Sequence, residues 1–133
     1  MSLAPALATA AQTILVIEDY PDTRELISTV LRRKGYRVLE AEDGVEGLLK
    51  AKGTIPDLII MDLTLPEMDG VETARHIHAT PRLSNTPIFV VSAFLTQAVE
   101  ADVRAAGCVE LFTKPFEVGE LLEKVGATLG VRE

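Results

Sequence analysis

Four short, nearly unbroken apolar runs limit what this chain can fold into: Ile14-Leu15-Val16-Ile17, Leu58-Ile59-Ile60-Met61, Ile88-Phe89-Val90-Val91 and Val109 to Phe112. The first three do not alternate with polar residues, so neither side of such a segment is suited to water. Strands covered on both faces of a parallel sheet have this pattern. The fourth run is weaker, because Glu110 interrupts it. Tyr36-Arg37-Val38-Leu39-Glu40 alternates, and reads as a fifth strand nearer an edge.

Helical periodicity fills the gaps. Asp22 is expected to cap a first helix whose face is Leu26, Ile27, Val30 and Leu31, with a basic last turn and a stop at Lys34-Gly35. Asp43 is expected to cap a second, running through Lys52. A third spans about Val71 to Ala79 and ends before Pro81. Thr96 caps a fourth that ends at Gly107. The fifth, about Glu117 to Leu129, carries Val118, Leu121, Leu122, Val125 and Leu129 on one face. Strand and helix thus alternate five times. That order implies one α/β domain, a doubly wound five-stranded parallel sheet in the order 2-1-3-4-5 with five helices and right-handed crossovers.

Size and charge are consistent with this. A chain of 133 residues, 47% hydrophobic and 25% charged, is long enough to bury a core. No apolar run approaches the ~20 residues of a membrane-spanning helix. The single cysteine, Cys108, excludes an intrachain disulfide framework, so a cytoplasmic setting is expected. With a net charge of −7, the chain lacks the clustered Lys and Arg that a nucleic-acid backbone requires. Residues 1–12 are Ala-rich and without charged side chains, and are expected to form a disordered or frayed arm before a domain over 13–131.

The chemistry lies in the polar residues just past each strand. Glu18 and Asp19 come after the first, Asp62 after the third, Ser92 after the fourth, and Lys114 after the fifth, with Pro115 next. Ligands of open α/β sheets bind at the carboxyl ends of strands, where strand order reverses. Three carboxylates would therefore share one crevice. Two unit charges ~4 Å apart interact by roughly 4 kcal/mol at an effective dielectric of 20, so such a group must take up a proton or a cation. Hard oxygen ligands in a small acidic site favour Mg2+. Asp62 is then a candidate nucleophile toward phosphorus, Lys114 a point charge for the phosphoryl group, and Ser92 a hydrogen-bond donor to it. His76 and His78 read as exposed residues of the third helix. Cys108 reads as small core filler.

The ordered set Glu18-Asp19, Asp62, Ser92-Ala93 and Lys114-Pro115-Phe116, with the segment from Pro56 to Gly70 around Asp62, resembles the receiver domain of two-component response regulators. The resemblance covers about Thr13 to Leu129 and implies a flavodoxin-like fold. It also implies roles. Asp62 is the phosphoacceptor. Asp19 is a direct metal ligand, Glu18 holds the metal through water, and the backbone carbonyl of Thr64 is a further ligand. Ser92 moves onto the phosphoryl group, Lys114 forms a salt bridge to that group, and the peptide bond from Lys114 to Pro115 is usually cis. Ala93 leaves room for the donor.

The implied partners are a histidine kinase or phosphotransfer protein upstream, and a downstream protein or an output domain beyond this sequence. A phosphorylation-linked dimer through the fourth helix, fifth strand and fifth helix is a further possibility. No direct contact with nucleic acid or membrane is expected. Nor is an enzyme beyond its own phosphorylation and slow dephosphorylation. One departure stands out: Leu111 occupies the position where many receivers carry the Tyr or Phe that swings inward, and Phe112 should point to the opposite face.

Three other readings compete with this one. A non-switching pseudo-receiver would act by docking alone. A phosphatase of the haloacid dehalogenase type would want a second acid where Thr64 stands. A flavodoxin would want a Ser/Thr/Gly-rich phosphate loop where Glu18-Asp19-Tyr20-Pro21-Asp22 stands.

Overall fold

The computed structural model describes residues 11–130. Its strands are β1 (Thr13–Ile17), β2 (Arg37–Ala41), β3 (Leu58–Asp62), β4 (Ile88–Ser92) and β5 (Glu110–Thr113). Its helices are α1 (Pro21–Arg33), α2 (Gly44–Thr54), α3 (Gly70–His78), α4 (Gln97–Ala105) and α5 (Val118–Leu129). All strand pairs are parallel and the order is β2-β1-β3-β4-β5, as the sequence implies. A short 3-10 turn, Pro81–Leu83, comes after α3.

The unbroken runs are explained by two cores, one on each face of the sheet. Leu15, Ile17, Ile59, Met61, Ile88 and Val90 point to a core completed by α2, α3 and α4, with Ala51, Ala74, Ile77 and Val103 buried against them. Ile14, Val16, Leu58, Ile60, Phe89 and Val91 point the other way, to Ile27 and Leu31 of α1 and Leu121 and Val125 of α5. Alternate residues of one strand therefore serve different cores. Fully burying one such side chain is worth about 1.5–3 kcal/mol. β2 is an edge strand, and there Arg37 is exposed.

Helix boundaries obey capping chemistry. Asp43 accepts from Glu46 N (2.7 Å), Asp69 from Glu72 N (2.9 Å) and Thr96 from Val99 N (3.2 Å). Gly35 and Gly107 take the left-handed conformation just past α1 and α4, at φ 97° and 95°.

The start of α1 differs from expectation. Its N-cap is Tyr20 and Pro21 occupies the first turn, so Asp22 lies inside the helix and caps nothing. Proline at the first helical position needs no N–H partner and has its φ already set, which outweighs the aspartate signal. Leu26 is also exposed rather than part of the buried face, and Ser28 takes an inward position. Val109 lies outside β5 and is exposed. The arm expected over 1–12 lies outside the described residues except for Ala11 and Gln12. Gln12 is held at both ends: its carbonyl accepts from Arg37 N (2.9 Å) and its side chain donates to Leu129 O (2.9 Å). The expected domain end at 131 lies outside them too.

Candidate functional site

The carboxyl ends of β1, β3, β4 and β5 converge. β1 hands over to Glu18, whose amide donates to Ala41 O of β2 (3.0 Å) and so extends the ladder one step past the strand. That fixes the backbone where the acidic pair begins. Glu18 is 2% exposed and Asp62, the last residue of β3, 6%, whereas Asp19 faces solvent. One oxygen from each of the three carboxylates lies within 4.8 Å of the others.

Lys114 closes this group from β5. Its Nζ donates to Asp62 Oδ2 (2.9 Å) and to Glu18 Oε1 (3.0 Å). Its amide donates to the carbonyl of Ser92 (2.8 Å), which carries the β4–β5 ladder to the rim, and its bond to Pro115 is cis. Ser92 is buried at the end of β4, where its neighbour Val91 pairs with Asp62. Glu18, Asp19, Asp62 and Lys114 are thus brought into one cluster, with Ser92 on the adjoining strand end. Thr64 lies in the loop after β3, where its amide donates to Asp62 Oδ1 (2.9 Å).

Three carboxylates face one ammonium. Burial first, and then the nearby charge of Asp62, push the Glu18 carboxyl up to about 7. Burial works to lower the pKa of Lys114, but its hydrogen bonds to Asp62 and Glu18 outweigh this and raise it. The cluster thus stores electrostatic strain that a cation among the oxygens would relieve. The donor set is all carboxylate, partly buried, with one acid open to solvent. It suits a hard, partly hydrated divalent ion.

Several contacts at the site carry no sequence signal, because one partner is a backbone group. Phe94 N donates to Ser92 Oγ (3.2 Å), mirroring Thr64 N on Asp62. Phe94 is 75% exposed. Arg24 donates to the carbonyl of Glu18 (2.8 Å). Gly70 sits so close behind Asp62 that a Cβ there would lie 2.7 Å from both Asp62 O and Leu63 Cα. The glycine that opens α3 is therefore required by the backbone at the end of β3.

His78 differs from the expected exposed residue. Its ring is half-buried at the far end of the sheet, with Nδ1 3.0 Å from Ala106 O and Nε2 2.9 Å from Thr86 O. It ties α3 to the entries of β4 and β5, whereas His76 is exposed as expected. Cys108 is buried, and burial pushes its thiol up to about 11, in keeping with packing rather than reactivity. Phe112 faces the α1–α5 core and contacts Phe89 (ring centroids 5.7 Å apart), while Leu111 packs toward the other core.

The model for the response regulator receiver domain matches residues 14–126. The polar-differentiation response regulator DivK of Brucella anthropi is 29% identical over 119 residues, covering 90% of this chain and 97% of that protein. Among solved structures, the chemotaxis response regulator CheY4 of Vibrio cholerae superposes with a TM-score of 0.84 at 28% identity, over 90% of this chain and 99% of that one. The receiver domain of a sensor histidine kinase from Pseudomonas aeruginosa PAO1 gives 0.84 at 33% identity, over 91% and 99%. That structure has a magnesium ion coordinated in its active-site cleft. Among the described residues, no helix is long and apolar enough to cross a membrane.

Proposed function

Because the chain belongs to the response regulator receiver domain family of two-component signalling, we propose that it is a Mg2+-dependent phospho-switch whose acceptor is Asp62. The observation that carries this is the arrangement around Asp62: a nearly buried carboxylate with Oδ2 on Lys114 and Oδ1 on the Thr64 amide, beside Glu18 and Asp19. Asp19, Glu18, Asp62 and the backbone carbonyl of Thr64 would hold the ion. When bound, it supplies positive charge for the oxygens of the phosphoryl group in transfer.

An Asp62 oxygen attacks phosphorus of a phosphohistidine or a small phosphodonor. The new O–P bond gives an acyl phosphate, and the bond from phosphorus to the donor breaks. Lys114 is placed to follow charge from the carboxylate to the phosphoryl oxygens. Ser92 would trade its contact with the Phe94 amide for one with the phosphoryl group. A docking-only pseudo-receiver would gain nothing from a lysine held between two nearly buried carboxylates, since that arrangement costs desolvation.

A histidine kinase or phosphotransfer protein is the proposed donor. An apolar groove of about 370 Å³ lined by Thr23, Leu26, Lys114, Pro115 and Phe116 borders the acidic cluster at Lys114 and gives a donor-bearing helix a place to rest. The downstream partner, or an output domain, would read the changed surface from the cytoplasm. Residues 13–131 would form the complete switching domain.

The test is mass spectrometry after incubation with acetyl phosphate. Wild type should gain one phosphoryl group with Mg2+ and none with a chelator, and Asp62→Asn none under either condition. Equal uptake by both proteins would refute the assignment.

A further inference from the structure

We propose that Arg24 is a positioning residue of the metal site, acting through the backbone of the acidic pair; this rests on the reading of that site given above. The Arg24 side chain is 15% exposed. Its Nη1 lies 2.8 Å from the carbonyl oxygen of Glu18 and 3.4 Å from that of Asp19. One guanidinium therefore spans two consecutive carbonyls in the segment whose side chains supply two of the three clustered carboxylates. Its Nε faces Glu40 of β2 at 3.7 Å, and Glu40 is also paired with Arg32 at 3.6 Å. Arg24 is thus anchored to the edge strand while it grips the loop.

Orienting two successive carbonyls orients the peptide planes between them, and with those the directions in which Glu18 and Asp19 leave the backbone. The other hydrogen bonds that hold this loop are Glu18 N on Ala41 O (3.0 Å), Tyr20 N on Glu18 Oε2 (3.2 Å) and Arg24 N on Tyr20 O (3.0 Å). The second uses a carboxylate oxygen of the cluster, so it cannot position the acid independently. Arg24 bonds carbonyls and leaves the carboxylate oxygens of Glu18 and Asp19 free for a cation. Lys114, by contrast, occupies oxygens of Glu18 and Asp62 and competes with one. Nη1 serves both carbonyls while Nε faces Glu40, and a planar guanidinium holds these two directions at once where a compact lysine ammonium does not.

The experiment compares wild type, Arg24→Ala, Arg24→Lys and Glu40→Gln by two measurements. The first is the Kd for Mg2+ by titration calorimetry. The second is amide hydrogen exchange at Glu18 and Tyr20 without metal, referenced to Ile60 and Val91. Arg24→Ala should weaken Mg2+ binding roughly tenfold, the scale on which groups that orient metal ligands act. It should also speed exchange at Glu18 and Tyr20 while leaving Ile60 and Val91 unchanged. Arg24→Lys and Glu40→Gln should fall between it and wild type. An unchanged Kd with only a lower Tm would reduce Arg24 to a structural residue and overturn the proposal. If Arg24→Ala does not fold, the two milder variants decide, and wild-type values in both would overturn it. Absence of Mg2+ binding by wild type would instead strike the reading of the site itself, and metal-free exchange would still show whether Arg24 holds the loop.

Discussion

Lys114 and Asp62 stand 52 residues apart in sequence and on strands separated by β4, yet Nζ of one lies 2.9 Å from Oδ2 of the other. The same ammonium reaches Glu18 at 3.0 Å. It therefore does part of the work of a cation, neutralising two nearly buried carboxylates. Lys114→Met should leave them facing each other, and Mg2+ should then bind more tightly, by roughly 1 kcal/mol or about fivefold. Phosphoryl uptake should fall nonetheless, by about 10²-fold, because a charge aimed at the transferred group is gone. Calorimetry and the acetyl phosphate assay measure the two effects separately. Weaker Mg2+ binding in the variant would show that Lys114 organises the site rather than competing within it.

Glu18 makes a pH prediction whose sign is definite. Its carboxyl is raised from 4.5 to about 7 in the folded protein. An acid so raised contributes stability that is fully present below pH 4.5 and is lost as pH rises through 7. Metal-free protein should therefore become less stable between about pH 5 and pH 8, by roughly 3 kcal/mol at most, at about 1.4 kcal/mol per pKa unit. Mg2+ needs the ionised form, so its binding should strengthen over the same window and release a proton at the acid end. Thermal melts at pH 5 and pH 8, with chelator and with Mg2+, check both. Glu18→Gln should flatten the metal-free slope, and a slope that survives this substitution would place the titration elsewhere.

How legible the molecule is from its sequence depends on which groups make a contact. The strands and their order are legible because unbroken runs such as Leu58 to Met61 have one physical solution, and the polar residue after each run marks the rim. Glu18, Asp19, Asp62 and Lys114 are legible as a cluster for the same reason. Contacts with a backbone partner are not. His78 bridges two carbonyls, Arg24 grips two more, and the Thr64 and Phe94 amides reach Asp62 and Ser92. Nothing in a residue pattern names a carbonyl as a partner. The start of α1 shows two local signals in competition, and the proline at position 21 prevails over the aspartate at 22.

The face made by α4, β5 and α5 is the expected response surface. Ser92 leads into α4 and Lys114 closes β5, so any movement of both toward a phosphoryl group pulls on that face from two sides. Leu111 is half-buried against the core that α4 covers and has no polar end to trade between burial and solvent. The change should therefore be smaller than where an aromatic hydroxyl swings. On adding a beryllofluoride mimic, NMR shifts should concentrate between Ser92 and Phe116. If phosphorylation drives a dimer through this face, sedimentation should show it under the same conditions. Shifts confined to α1 and α2 would count against the assignment.

The phosphoryl group on Asp62 should be lost slowly, over many minutes or longer rather than seconds. An acyl phosphate hydrolyses when a water is held in line with phosphorus, and a side chain that aligns such a water must reach over the site. The receiver resemblance gives that role to Thr64 and Phe94, two positions beyond Asp62 and Ser92. Their amides are already committed to Asp62 Oδ1 and Ser92 Oγ, which fixes their backbones at the rim. Thr64 is short, and the Phe94 ring offers no hydrogen bond. With Phe94 75% exposed, slow loss is expected from the absence of an aligning group rather than from a ring covering the site. Lengthening the first side chain and making the second polar should then accelerate decay, whereas Phe94→Ala should change it little. Phosphoryl decay measured for wild type, Thr64→Asn, Phe94→Glu and the double variant tests this, with roughly 10²-fold acceleration expected in the double variant, the low end of what one positioned acid–base group contributes. A wild-type half-life of seconds would sink the idea. Marked acceleration by Phe94→Ala would show instead that the ring closes over the site once Asp62 is phosphorylated.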